Sequence, residues 1–219
     1  MSKIILWGIG QIAEVVHYYL TTDSEHEVGA FCVDRAYLQE PFFKDKPVVA
    51  FDEVARLFSP SEYKMAMPLG YKNLNKHREE KYLQAKAMGY EFITYISSRT
   101  SCDAASVGEN TFILSQNDIQ PFVKIGNNVI VWATSGIGHH TQIGDHCFLA
   151  SPKISGATVI GRNTFIGTNA TISENLSIGE YCIIGAGTVI LKSVPNAKVI
   201  ASKQPKAMPI SSHDLAGFL

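Results

Sequence analysis

The chain has 219 residues, 46% hydrophobic and 18% charged, with 19 Lys and Arg balanced by 20 Asp and Glu. This near-neutral, apolar-rich composition excludes a disordered acidic or basic tail protein and a surface built for phosphate-rich polymers, and the length allows one to two domains. No apolar stretch approaches the roughly 18 residues of a membrane span, and Ile4-Ile5-Leu6-Trp7 breaks at Gly8 and Gly10 without a cleavage site. A cytoplasmic protein with no nucleic-acid or membrane partner is expected. The cysteines (Cys32, Cys102, Cys147, Cys182) include no CxxC pair, which predicts reduced thiols.

Residues 1 to about 100 alternate strand and helix. Lys3 to Trp7 reads as a strand, Gly8-Ile9-Gly10-Gln11-Ile12-Ala13 as a glycine turn, and Val15, Val16 and Leu20 as the apolar stripe of a helix. Strands follow at Val28–Val33, Val48–Phe51, Met65–Leu69 and Phe92–Ile96. A short helix at Asp52–Phe58 has Asp52 as N-cap, and a longer one runs from about Asn73 to Met88, stopping at Gly89. This pattern predicts a small α/β, Rossmann-like domain with a parallel sheet, bounded near Ser97–Ser101. Gly8 and Gly10 let backbone approach a phosphate or sugar at a helix N-terminus, and Asp34 can accept hydrogen bonds from a ribose or base. Glycines kept only for tight packing are the competing reading, and about 100 residues leave a dehydrogenase little room for its second half.

Beyond this boundary a period of six takes over. Positions 107, 113, 119, 125, 131, 137, 143 and 149 are Val, Ile, Ile, Ile, Val, Ile, Ile and Leu, and Ile154 through Ile190 keep the step. Small residues recur in the fifth position (Thr111, Ser135, Cys147, Ala170), and Asn recurs in the fourth (Asn110, Asn128, Asn163, Asn169, Asn175), where a corner visits the left-handed region. Such hexads bury their apolar faces only by stacking, so they predict a parallel β-helix of roughly five coils. Fortuitous spacing in a β-sandwich is the weaker alternative. Leu149 to Ile154 is one residue short, which puts Pro152 at the corner and Lys153 inward; a lysine cannot stay in a narrow apolar coil, so Lys153 is expected to swing outward. Outward aromatics such as Phe112, Trp132, Phe148, Phe165 and Tyr181 suggest faces buried between chains.

The chemistry is expected in Ile137-Gly138-His139-His140-Thr141-Gln142-Ile143-Gly144-Asp145-His146. His139, two positions past the inward Ile137, projects outward near a corner, and a histidine titrates near neutral pH and can take a proton from an amine or hydroxyl. His146, in the Asn-like position, reads as a solvated corner residue. Zinc is disfavoured because adjacent His139 and His140 point apart and no cysteine pair joins them.

A glycine-turn α/β domain followed by hexads of this kind resembles the hexapeptide-repeat sugar acyltransferases of the sialic acid O-acetyltransferase and bacillosamine or perosamine N-acetyltransferase type, over nearly the whole chain. The resemblance implies domains at 1–100 (nucleotide-sugar binding), 101–195 (left-handed β-helix) and 196–219 (tail), a homotrimer, and acetyl-CoA in the cleft between two β-helices. It implies that His139 is the general base, with His140 standing where relatives carry an acidic partner, and that no metal is used. Gly8, Gly10, Gln11, Asp34 and Arg35 become candidates for holding the nucleotide sugar, and Phe148, Gly156, Gly185, Lys203 and Lys206 for the cofactor. Phe148 occupies the position of a second histidine in many relatives, which leaves the Gly156 N–H to polarise the thioester. The expected activity is N-acetylation of a nucleotide-linked amino-deoxy sugar by direct transfer, with sugar O-acetylation or an inactive β-helix scaffold as alternatives.

Overall fold

In the computed structural model, which describes residues 2–203, 205–207 and 209–215, the apolar runs near the N-terminus become one mainly parallel sheet. It comprises β1 (Lys3–Trp7), β2 (Glu27–Val33), β3 (Phe42–Phe43), β4 (Lys46–Ala50) and β5 (Tyr63–Ala66) in the order β3-β4-β2-β1-β5. Only the short β3 runs antiparallel, against β4. The inner strand β1, between β2 and β5, is buried from Ile4 to Trp7, as the continuous apolar run of a strand covered on both faces requires. Helix α1 (Gln11–Thr22) starts from Gly10 and buries Ala13, Val16 and Leu20, one stripe at helical spacing.

Both later helices depart from the sequence reading, and β5 lies two to three residues ahead of the Met65–Leu69 strand read there. Helix α3 spans Lys76–Ala87, not Asn73 onward, because Asn73, Leu74 and Asn75 have φ of 50, 52 and 63°. Asp52 caps nothing: it lies in a one-turn 3-10 segment ahead of α2 (Val54–Leu57), and its carboxylate accepts a hydrogen bond from Arg35. The Phe92–Ile96 segment joins both halves, since Phe92 bridges to Met65 while β6 (Tyr95–Ile96) pairs with Phe112–Ile113 in the coil.

The hexads form three parallel sheets of six, five and seven strands. Register aligns like with like, as in Ile119↔Ile137, Ile137↔Ile154 and Ile154↔Ile172, so the aliphatic residues stack along the axis in one buried cluster. The expected asparagines take the corners, with Asn110, Asn128, Asn163, Asn169 and Asn175 at φ of 51 to 58°. At the short step the corner is Ser151 (φ 59°), not Pro152; Pro152 takes the buried inward place and Lys153 lies exposed in a strand, as expected of a charge. The missing residue therefore lies between Ala150 and the corner, where a turn can tighten without turning the strand over.

The seven-stranded face is covered by the same chain's α/β unit. Phe112, Ile130 and Phe148 share a buried cluster with Leu6, Leu20 and Phe31. The aromatic ladder expected between chains thus serves, at Phe112 and Phe148, to join the two halves of one chain. The six- and five-stranded faces stay open, and Phe122, Val159, Val189 and Leu191 are exposed on them or at their corners.

Candidate functional site

His139 stands at the corner between the two open faces. Its backbone N–H donates to Gln120 Oε1 (3.0 Å), and its ring lies directly over Gly156 one coil on: a Cβ added there would meet His139 Cε1 at 2.6 Å. Only glycine fits beneath this ring. The Gly156 N–H has no acceptor among the described residues, although Asn127 and Glu109 at equivalent corner positions donate to Asp145 and Asn127. His139 Nδ1 is 3.1 Å from His140 Nδ1, and the His140 ring packs on Phe122 with centroids 4.6 Å apart. Asp118, Gln120, His139, Lys153 and Gly156 line one shallow cavity of about 280 Å³. Lys153 reaches it by crossing Gly136 and donating to the Thr134 carbonyl (2.9 Å).

The structure does not bring the other cofactor candidates to this corner. Phe148 is 3% exposed, and its ring is closed in by Tyr71, Trp132, Phe165 and the Arg78 guanidinium, which corrects its assignment as a cofactor contact. Gly185 sits at a different corner and has its N–H committed to the Ile200 carbonyl (2.7 Å). Lys203 and Lys206 are exposed in the segment after the last coil strand; Gln204, Met208 and residues 216–219 of the expected tail lie outside the described residues.

In the α/β unit, Gly8, Gly10 and Asp34 line a cavity of about 310 Å³ together with Tyr37, Leu69 and His77. Gly8 needs its glycine, with φ 97° and its N–H donated to the Cys32 carbonyl (2.8 Å). Lys81 holds Asp34 Oδ1 at 2.5 Å, so one carboxylate oxygen is already engaged. Gln11 and Arg35 fall elsewhere. Gln11 faces a separate groove along α1, and Arg35 is paired with Asp52 and Glu53 on the neighbouring surface.

Periodicity gave no signal for the junction, where α3 meets the coil. Arg78 is fully buried and donates to the carbonyls of Leu69, Gly70, Asn128, His146 and Cys147 and to Asn75 Oδ1, at 2.7 to 3.3 Å. Burial lowers its pKa to about 10, which leaves it charged at neutral pH. His146, read as solvated, is 5% exposed beneath this helix; its Nδ1 meets Asn128 Nδ2 at 2.8 Å and its Nε2 lies 3.6 Å from Glu79. Burial pushes the His146 pKa down against the opposing pull of Glu79. Glu79 also pairs with Arg162 and accepts from Asn163 Nδ2 (2.9 Å). An arginine on the largely polar Lys76–Ala87 helix looks solvated in sequence, and only the packed junction reveals its acceptors.

The model of the bacterial transferase hexapeptide (six repeats) family matches residues 104–139, 123–151 and 157–192. No curated protein matches the chain. Among solved structures, the acetyltransferase domain of PglB from Neisseria gonorrhoeae FA1090 is 22% identical, with 95% of this chain and 100% of that chain covered at a TM-score of 0.80. PerB from Caulobacter crescentus, solved with CoA and GDP-perosamine, is 20% identical over 92% and 95% at 0.80, and WeeI from Acinetobacter baumannii AYE is 22% identical over 92% and 97% at 0.78. Most of the coil thus matches the repeats of the bacterial transferase hexapeptide model, and the whole chain shares the fold of these solved structures, α/β unit included. No helix among the described residues is long and apolar enough to cross a membrane.

Proposed function

We propose that the protein is an acetyl-CoA-dependent acyltransferase that N-acetylates the amino group of a nucleotide-linked amino-deoxy sugar by direct transfer. The observation that carries this reading is the His139 corner: an exposed imidazole over a bare Gly156 N–H, in a fold shared with an acetyltransferase domain solved with acetyl-CoA and a perosamine N-acetyltransferase solved with CoA and GDP-perosamine. In the tautomer this reading uses, His139 Nδ1–H donates to His140 Nδ1 and Nε2 keeps its lone pair. The acceptor amine attacks the thioester carbonyl carbon; Nε2 takes the proton the amine sheds as the C–N bond forms, and the Gly156 N–H stabilises the oxyanion. Collapse breaks the C–S bond, and His139 returns the proton to the departing thiolate. Unlike a carboxylate, His140 orients the ring without offsetting the imidazolium charge.

The α/β unit, a Rossmann-like domain over residues 1–100, holds the nucleotide at Gly8, Gly10 and Asp34. The coil over 101–195 winds left-handed, and Lys203 and Lys206 of the 196–219 tail attract the cofactor phosphates. The cavity at His139 is shallow and flanked by exposed Phe122 and Val159, so a second chain supplies the other wall in a homotrimer that works in the cytoplasm. Thiol release from acetyl-CoA with a panel of nucleotide amino sugars tests the activity: an inactive scaffold releases none, and release with hydroxyl-only sugars marks an O-acetyltransferase. A stable monomer in sedimentation at micromolar concentration removes the shared cleft.

A further inference from the structure

Resting on that reading, we propose that Tyr71 is the shelf on which the acceptor sugar lies, and that Arg78 is the positioning residue that holds it there. Tyr71 stands in the loop between β5 and α3. Two residues before it, Leu69 lines the cavity that also contains Gly8 and Gly10, and six residues after it His77 lines the same cavity. The loop that carries Tyr71 is thus bracketed in sequence by two residues of the cavity wall, Leu69 and His77.

The ring has the character of a stacking surface. It packs edge-on against Phe148 (5.1 Å, 76°) and tilted against Phe165 (4.7 Å, 50°), yet Tyr71 is still 54% exposed. An aromatic ring backed by two others and open to solvent suits the C–H face of a pyranose, which gains apolar contact while its hydroxyls stay wet. A tyrosine on a loose loop would be an unremarkable surface residue. This loop is not loose. Asn73, Leu74 and Asn75 are three consecutive left-handed residues without a glycine, each disfavoured by about 1 kcal/mol or more. They persist because Asn75 is buried and donates to the Asn163 and Thr164 carbonyls (3.2 and 3.4 Å), and because Arg78 clamps the Leu69 and Gly70 carbonyls, both at 3.1 Å. The same guanidinium binds the coil at Asn128, His146 and Cys147, so the loop is registered to the repeat domain as well as to the sheet. Such over-determined strain concentrates at ligand clamps.

The test uses the full chain and three measurements: calorimetric binding of a nucleotide amino sugar, calorimetric binding of the matching nucleoside diphosphate, and the KM for acetyl-CoA. Tyr71→Ala is expected to weaken the nucleotide sugar about tenfold, with the nucleoside diphosphate and acetyl-CoA changed by less than about twofold, whereas Tyr71→Phe stays near wild type. Unchanged sugar binding in Tyr71→Ala, or an equal loss for the nucleoside diphosphate, overturns the shelf. Arg78→Lys, measured below its melting temperature, is expected to repeat the split in favour of the diphosphate; a uniform loss in all three measurements makes Arg78 merely structural. A wild type that binds the sugar without releasing thiol refutes acyl transfer and leaves the Tyr71 comparison readable on binding alone. A wild type that binds neither nucleotide overturns the shelf too.

Discussion

His140 and His146 are six residues apart, occupy the same position in successive hexads, and have nearly the same left-handed backbone, φ 61 and 62°. Their surroundings are opposite. His140 lies at an open corner beside exposed His139, while His146 lies under α3 against Asn128 and Glu79. The repeat dictates where each corner turns, but the element laid over it decides whether the imidazole is wet or dry. Desolvation disfavours the charged form of the buried imidazole and pushes the His146 pKa down.

Breaking the open corner is expected to have the largest effect. His139→Ala lowers kcat by about 10^2 to 10^4, the range for a lost general base, with an unchanged melting temperature; a kcat close to wild type moves the chemistry elsewhere. At the covered corner the loss falls on stability instead. Arg78→Met leaves five backbone carbonyls without their donor and is expected to destabilise the chain by about 3 to 5 kcal/mol in denaturant titration. A shift below about 1 kcal/mol would mean that water replaces the guanidinium.

His146→Gln sharpens the contrast through pH. The folded pKa of His146 lies below 6.5, so the unfolded chain binds more protons below that value, and stability falls as pH drops from 6.5 toward the depressed pKa. His17 and His26 are depressed by burial too and act in the same direction. The variant is expected to show a shallower loss as the pH falls below 6.5 and a kcat near wild type; an unchanged slope assigns the acid sensitivity to the other two. The smallest effect belongs to Lys153, exposed and held by one carbonyl. Lys153→Ala is expected to alter kcat/KM among acceptor sugars by less than about fivefold, with stability within about 0.5 kcal/mol. Identical acceptor ratios would make the short step a structural accident.

Legibility followed the range of the interactions. Stacked hexads make every strand see nearly the same neighbours, so the inward isoleucines, the asparagine corners, the outward swing of Lys153 and the exposure of His139 are all readable from a period of six. The corner at Ser151 was misplaced by one residue because sequence shows that a residue is missing without showing which place in the turn closes up. Phe148 and His146 were misread for a different reason. Both lie under the α/β unit, and the contact that buries them depends on Arg78, 70 and 68 residues earlier in the chain.

The amino-acid sequence by itself determined the period, the stacking core, the parallel sheet after the glycine turn, and the corner that carries His139, because these follow from local alternation and backbone preference. Only the tertiary structure decided which coil face is covered, which of two equivalent histidines stays open, and that the Tyr71 ring packs against Phe148 and Phe165. Those outcomes depend on docking two halves of the chain, where one buried guanidinium satisfies carbonyls from both, and no spacing within either half encodes that meeting.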